Sequence, residues 1–175
     1  MFRFIGNLYI IKNVISYSKR EVSLDMILEE KNIFLDEDLS SKEEVLEFIA
    51  DEAKKLGITD NREGLLKDLW KREEEYSTGI QDGFAIPHSK SQYVNNPTIL
   101  YIKTNKDIEW ETLDDSKVRY VFNLLVPKEN EDNVHLKMLS KLATCLMEDD
   151  FKKEVIEAVD KSKLIKYISD KMKEE

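Results

Sequence analysis

The sequence predicts a single α/β domain, on two kinds of pattern. The runs Thr98–Ile102 and Val118–Val126 are nearly continuously apolar, as strands covered on both faces should be. Between and around them, apolar residues recur at helical spacing over several segments. A length of 175 residues suits one compact domain with a real core.

In chain order, Ile33-Phe34-Leu35-Asp36 is a short apolar segment ahead of a helix signal. Ser41-Lys42-Glu43-Glu44 has capping-box spacing, with Ser41 available to the amide three residues on and Glu44 able to reach back. Val45, Ile49, Ala53 and Leu56 then mark one helical face, which Gly57 ends. A second helix is expected from about Asn61 to Tyr76, with Leu65, Leu69 and Arg72 on one face. Glu73, Glu74 and Glu75 read as a solvated charge run. After His88, residues 89–97 read as a polar connection. Ile108 and Trp110 suggest a small apolar flap or strand, with Trp110 packing in the core. Pro127 ends the central strand, and an acidic loop, 128–133, feeds a helix striped by His135, Met138, Leu139, Leu142 and Leu146. Cys145 lies beside that stripe as a small buried hydrophobe. Phe151, Val155, Ile156 and Val159, then Leu164, Ile165, Ile168 and Met172, mark two further amphipathic segments.

Composition narrows the function classes. The net charge of −9 argues against general nucleic-acid binding, which needs a basic face. No apolar run approaches the length of a membrane span. One cysteine allows no internal disulfide and fits a reducing, cytoplasmic setting. Residues 1–25 differ from the rest: four basic side chains against two acidic ones leave −11 for the remainder. Their apolar run is too short and interrupted for a signal peptide. They read as a peripheral N-terminal extension to a domain spanning 26–175.

The stretch from Arg72 to His88 carries the chemistry: Arg-Glu-Glu-Glu-Tyr-Ser-Thr-Gly-Ile-Gln-Asp-Gly-Phe-Ala-Ile-Pro-His. A charged helix end passes into a Ser-Thr-Gly turn, then a loop in which Gly79 and Gly83 are free to take positive φ. Pro87 fixes its own φ and pushes Ile86 toward an extended conformation, so His88 is presented on a stiff backbone. Arg72 supports two readings. Its stem covers the core while the guanidinium caps the last carbonyls, or the guanidinium projects toward His88. His135, in a first helical turn where the positive end of the helix favours a neutral ring, is either a core-facing histidine or part of a site.

Arg-Glu, then Ser-Thr-Gly-Ile, a glycine and Ala-Ile-Pro-His resembles the phosphorylation-site motif of enzyme IIA proteins, fructose/mannitol class, of the bacterial sugar phosphotransferase system. The family has this arginine a similar distance before the histidine, and usually Gly-Ile-Gly where this chain has Gly79-Ile80-Gln81. The resemblance implies a mixed β-sheet sandwiched by helices (phosphotransferase/anion transport protein-like), with His88 as phosphoryl acceptor. It implies a second histidine beside it, at His135, with Arg72 neutralising the phosphoryl oxygens and the amides of Thr78 and Gly79 and the Thr78 hydroxyl adding hydrogen bonds. It also implies the partners: phosphate comes from the phosphocarrier protein HPr and goes to a cysteine of enzyme IIB, and so to a sugar at the membrane permease. The chain would touch the membrane only through that permease. It shows no IIB-like cysteine motif and no permease segment, so it reads as a free-standing IIA. No cofactor or metal is required when donor and acceptor are both histidines.

Competing chemistries fit less well. The turn lacks the nucleophile-elbow pattern of a serine hydrolase, two distant histidines fall short of a zinc site, and no Walker-type loop is present. Two alternatives to a sugar-linked phosphotransferase stay open: a regulatory relative of the nitrogen-linked type, and an interaction module without the chemistry. Trp110 leans toward the sugar-linked branch.

Overall fold

The computed structural model describes residues 28–129 and 134–173. The N-terminal extension, 1–25, and most of the acidic loop before the third helix lie outside the described residues. Among the described residues are five strands and five α-helices. They run β1 (Ile33–Glu37), α1 (Lys42–Lys55), α2 (Arg62–Glu75), β2 (Phe84–Ala85), β3 (His88–Ser91), β4 (Thr98–Ile108), β5 (Val118–Pro127), α3 (Val134–Cys145), α4 (Asp149–Glu157) and α5 (Lys161–Lys173).

The helices begin where side chains satisfy their first amides. Ser41 accepts from the Glu44 amide at 3.1 Å, and Glu44 reaches back to the amide of Ser40, one residue earlier than a capping box requires. Asn61 accepts from the Gly64 amide at 2.9 Å. Gly57, at φ +70°, lets the chain leave α1.

The sheet is mixed. β4 and β5 form its antiparallel centre, β1 adds parallel to β4, and β2 and β3 each add parallel to β5. β3 replaces the polar connection expected after His88. Ser89 and Ser91 are buried and His88 stands opposite Leu124 in the ladder, although the segment has no β-branched or aromatic residue to announce a strand.

Alternation along the central strands builds two cores, one on each face. Ile99, Tyr101, Phe122, Leu124 and Val126 pack against Met138 and Leu142 of α3, Leu146 just beyond its end, Phe151 of α4 and Ile168 of α5. Leu100, Ile102, Val121 and Leu125 pack against Val45, Leu46 and Ile49 of α1 and Leu65 and Leu69 of α2. Cys145 is buried in the first of these cores, as expected. Tyr101 is fully buried there, its hydroxyl donating to the Val155 carbonyl, and burial pushes the phenol's pKa upward. Asn123 interrupts the apolar run of β5; its side-chain amide donates to the Pro87 carbonyl at 2.9 Å, one residue before His88.

Candidate functional site

Helix α2 ends at the site. Leu65 and Leu69 bury its face against the sheet, and Arg72, one turn on, carries its guanidinium past the helix end. Nη1 donates to the Tyr76 carbonyl at 2.7 Å, and Nε donates to His88 Nε2 at 2.9 Å. The two readings of Arg72 therefore hold together. One planar fork caps a carbonyl and meets the imidazole.

The loop returning to His88 is a tight hairpin. Asp82 and Gly83 sit at φ +57° and +80°, and the Phe84 amide donates back to the Gln81 carbonyl at 3.1 Å, as in a type I′ turn. The positive angles thus fall on Asp82 and Gly83, not on Gly79 and Gly83 as expected. Gln81 precedes them, so a residue with a side chain fits where the family usually has glycine. Gly79 is required by close approach. A Cβ there would collide with the Glu111 carbonyl and lie 2.9 Å from Thr112 Cγ2.

Two neighbours define the state of His88. The Ile86 carbonyl, which can only accept, lies 2.7 Å from Nδ1, and the Arg72 Nε–H, which can only donate, points at Nε2. Nδ1 therefore carries the hydrogen and Nε2 presents its lone pair. His88 is 9% exposed and lines a cleft of about 340 Å³. Lys71, Arg72, Lys90 and Lys128 line the same cleft against two carboxylates, Asp68 and Glu75. In a chain of net charge −9, this is a local excess of positive charge.

Of the five expected site residues, the structure brings Arg72 and His88 together. His135 stands in the first turn of α3, and its side chain lies outside the described residues. Thr78 and Gly79 do not line the cleft. The Thr78 amide and hydroxyl both donate to the Glu73 carboxylate, at 3.1 and 2.5 Å, and the Gly79 amide donates to Ser77 Oγ at 3.3 Å. The donors expected to hold a phosphoryl group are thus already engaged in holding the loop. Among the described residues, no three His, Cys, Asp or Glu side chains cluster as metal ligands.

The residue that sequence reasoning missed is Glu73. It is not part of a solvated run: its side chain is 3% exposed and takes the Trp110 indole N–H at 2.9 Å and the Lys42 ammonium at 3.2 Å. Trp110 is buried as expected, and that indole bond gives it a polar task as well. Burial alone would lower the Lys42 pKa, but hydrogen bonds to Glu111 and Glu73 outweigh it and raise it. A signal was available in the helical spacing: Glu73 follows Leu65 and Leu69 on the inward side of α2, whereas Glu74 and Glu75 do not.

Residues 26–171 match the family model described as "Phosphoenolpyruvate-dependent sugar phosphotransferase system, EIIA 2". The chain belongs to this enzyme IIA family. It is 35% identical over 129 residues to the fructose-specific EIIA component of Haloferax volcanii, covering 74% of this chain and 83% of that protein. It is 32% identical over 143 residues to the fructose-specific EIIABC component of Bacillus subtilis, covering 82% of this chain but only 22% of that larger protein. Among solved structures, the nitrogen regulatory protein IIA-Ntr of Neisseria meningitidis superposes with a TM-score of 0.75 at 28% identity, over 83% of this chain and 98% of that one. The fold is that of the IIA proteins, and the chain is a component of a phosphoryl-transferring system. Among the described residues, no helix is long and apolar enough to cross a membrane.

Proposed function

We propose that this enzyme IIA accepts a phosphoryl group on His88 Nε2 from phospho-HPr and passes it to a cysteine of an enzyme IIB, for uptake of a sugar of the fructose/mannitol class. One observation carries the reading: the Ile86 carbonyl and the Arg72 guanidinium together select the tautomer whose Nε2 lone pair is nucleophilic. As the Nε2–P bond forms, the donor's N–P bond breaks. No proton has to leave the ring, because the hydrogen stays on Nδ1 and goes on donating to the Ile86 carbonyl. Arg72 passes its N–H from Nε2 to the phosphoryl oxygens, and the cationic lining of the cleft offsets their charge. In the second step a cysteine thiolate attacks phosphorus and Nε2 leaves with its electron pair. His135 is placed in this reading as a second imidazole beside the first. Thr78 and Gly79 serve the phosphoryl site through the loop they hold in shape.

Incubation with phosphorylated HPr is expected to put an acid-labile phosphate on His88, and His88→Ala to abolish it; label on another residue would overturn the assignment. The likeness to a nitrogen regulatory IIA favours a second reading, in which the same phosphohistidine switches protein contacts. Transfer from the labelled chain to a fructose-type IIB supports sugar uptake. Label that stays on the chain in the presence of such a IIB supports the regulatory branch.

A further inference from the structure

We propose that Glu73 is a positioning residue for His88, acting through Thr78 and Ile86; the proposal rests on the reading of His88 as the acceptor. A carboxylate as buried as Glu73 is destabilising unless each oxygen is satisfied. Both are. Oε1 takes the Trp110 indole N–H and the Lys42 ammonium. Oε2 takes the Thr78 amide at 3.1 Å and the Thr78 hydroxyl at 2.5 Å. Ser77 Oγ is also 3.2 Å from Oε1, but its single hydrogen is better placed on the Glu111 carbonyl at 2.7 Å.

The two halves of this carboxylate have different consequences. Oε1 ties α2 to α1 and to the segment after β4. Oε2 clamps Thr78, and the next links lead to the reactive ring. The Thr78 carbonyl accepts the Ile86 amide at 2.9 Å, and the Ile86 carbonyl holds His88 Nδ1–H at 2.7 Å. Arg72, adjacent to Glu73 on the same helix, meets the other ring nitrogen. One dipeptide at the end of α2 therefore governs both sides of the imidazole, Arg72 directly and Glu73 through three hydrogen-bonded steps.

If the clamp on Thr78 loosens, the Ile86 carbonyl is no longer held in place, and the tautomer with hydrogen on Nε2 gains population. That tautomer has no nucleophilic lone pair in the cleft and sets its hydrogen against the Arg72 N–H. In Glu73→Gln an amide NH₂ must face either the Thr78 donors or the Trp110 and Lys42 donors, whichever way it turns.

The test is imidazole ¹⁵N NMR of His88 with the ring neutral, alongside single-turnover acceptance from phospho-HPr. Glu73→Gln is expected to turn a single Nδ1–H tautomer into a mixture and to slow acceptance by roughly 10- to 100-fold, as for a small displacement of a reacting group. Thr78→Val, which removes the 2.5 Å bond and keeps the shape, is expected to shift the tautomer in the same direction and to serve if Glu73→Gln does not fold. Trp110→Phe removes an Oε1 bond that is not on the path to the ring, so it is expected to lower stability and leave the tautomer in place. A folded Glu73→Gln, or failing that Thr78→Val, with wild-type tautomer and rate would overturn the proposal. So would Trp110→Phe moving the tautomer as far as Thr78→Val, since the effect would then be general loosening. Absence of label on wild-type His88 would instead sink the acceptor assignment, while the tautomer measurement still decides what Glu73 does.

Discussion

Replacing Arg72 by lysine separates the two tasks of one side chain. The guanidinium makes two bonds to groups on different elements, Nε to His88 Nε2 at 2.9 Å and Nη1 to the Tyr76 carbonyl at 2.7 Å. An ammonium is a point donor and cannot reproduce that fork. Tyr76 is 75% exposed, so water can take over its carbonyl, and the fold should persist with a melting temperature within about 3 °C of wild type. At the phosphoryl group the loss is not replaced. One hydrogen bond from a charged donor contributes about 1.5–3 kcal/mol. At 1.36 kcal/mol per decade, its absence in the transition state slows transfer about 10- to 150-fold. The assay is single-turnover transfer of labelled phosphate from phospho-HPr, quenched in alkali to spare phosphohistidine, with thermal unfolding run on the same preparation. A folded Arg72→Lys protein that accepts phosphate within threefold of the wild-type rate would refute the role given to the fork.

Three further outcomes are expected. Ser41→Ala removes the acceptor for the Glu44 amide and should destabilise the protein by about 1 kcal/mol in urea unfolding, without changing phosphate acceptance. Gly79→Ala drives a methyl group into the Glu111 carbonyl and should cost about 1–3 kcal/mol by the same measurement; full stability would mean that the loop yields there. Asp114 accepts hydrogen bonds from the Asp82 amide and from Ser116, which lower its pKa from 3.8 to about 2. Because the folded-state value lies below the unfolded one, its contribution is complete above about pH 4 and is lost as pH falls through about 2. Asp114→Asn should flatten stability against pH in that window, and an unchanged slope would remove Asp114 from the turn's support.

The parts of this protein that were legible in the sequence are those where one residue type has one physical use. The nearly unbroken apolar run of β5 requires cover on both faces, and it has that cover. Ser41 and Asn61 start helices because their side chains reach free amides. Pro87 before His88 implies a stiff delivery of the ring, and the resemblance in the surrounding residues drew attention to Arg72 sixteen positions earlier. What stayed hidden depends on partners distant in the chain. Glu73 looks like its neighbours Glu74 and Glu75 until Trp110, from 37 residues away, arrives with an N–H. Ser89-Lys90-Ser91 carries no strand signal of its own and becomes a strand because β5 lies alongside with a ladder to complete. The positive φ at Asp82 was legible as an Asp-Gly hairpin, whereas Gly79 serves close approach and not a positive φ.

Pro87 has a second consequence, away from chemistry. β2 and β3 lie on the same side of β5 and are separated by Ile86 and Pro87 alone, so the proline cuts what would otherwise be one continuous rim of the sheet. Its carbonyl accepts from the Leu124 amide of β5, so the missing N–H faces the sheet, and on the outer side the Ile86 amide and carbonyl are already taken by the Thr78 carbonyl and by His88 Nδ1. The contacts that hold the reactive histidine still therefore also blunt the rim against self-association. Catalytic geometry and colloidal behaviour are thereby tied to the same pair of backbone groups at Ile86, and a replacement chosen to loosen one would disturb the other.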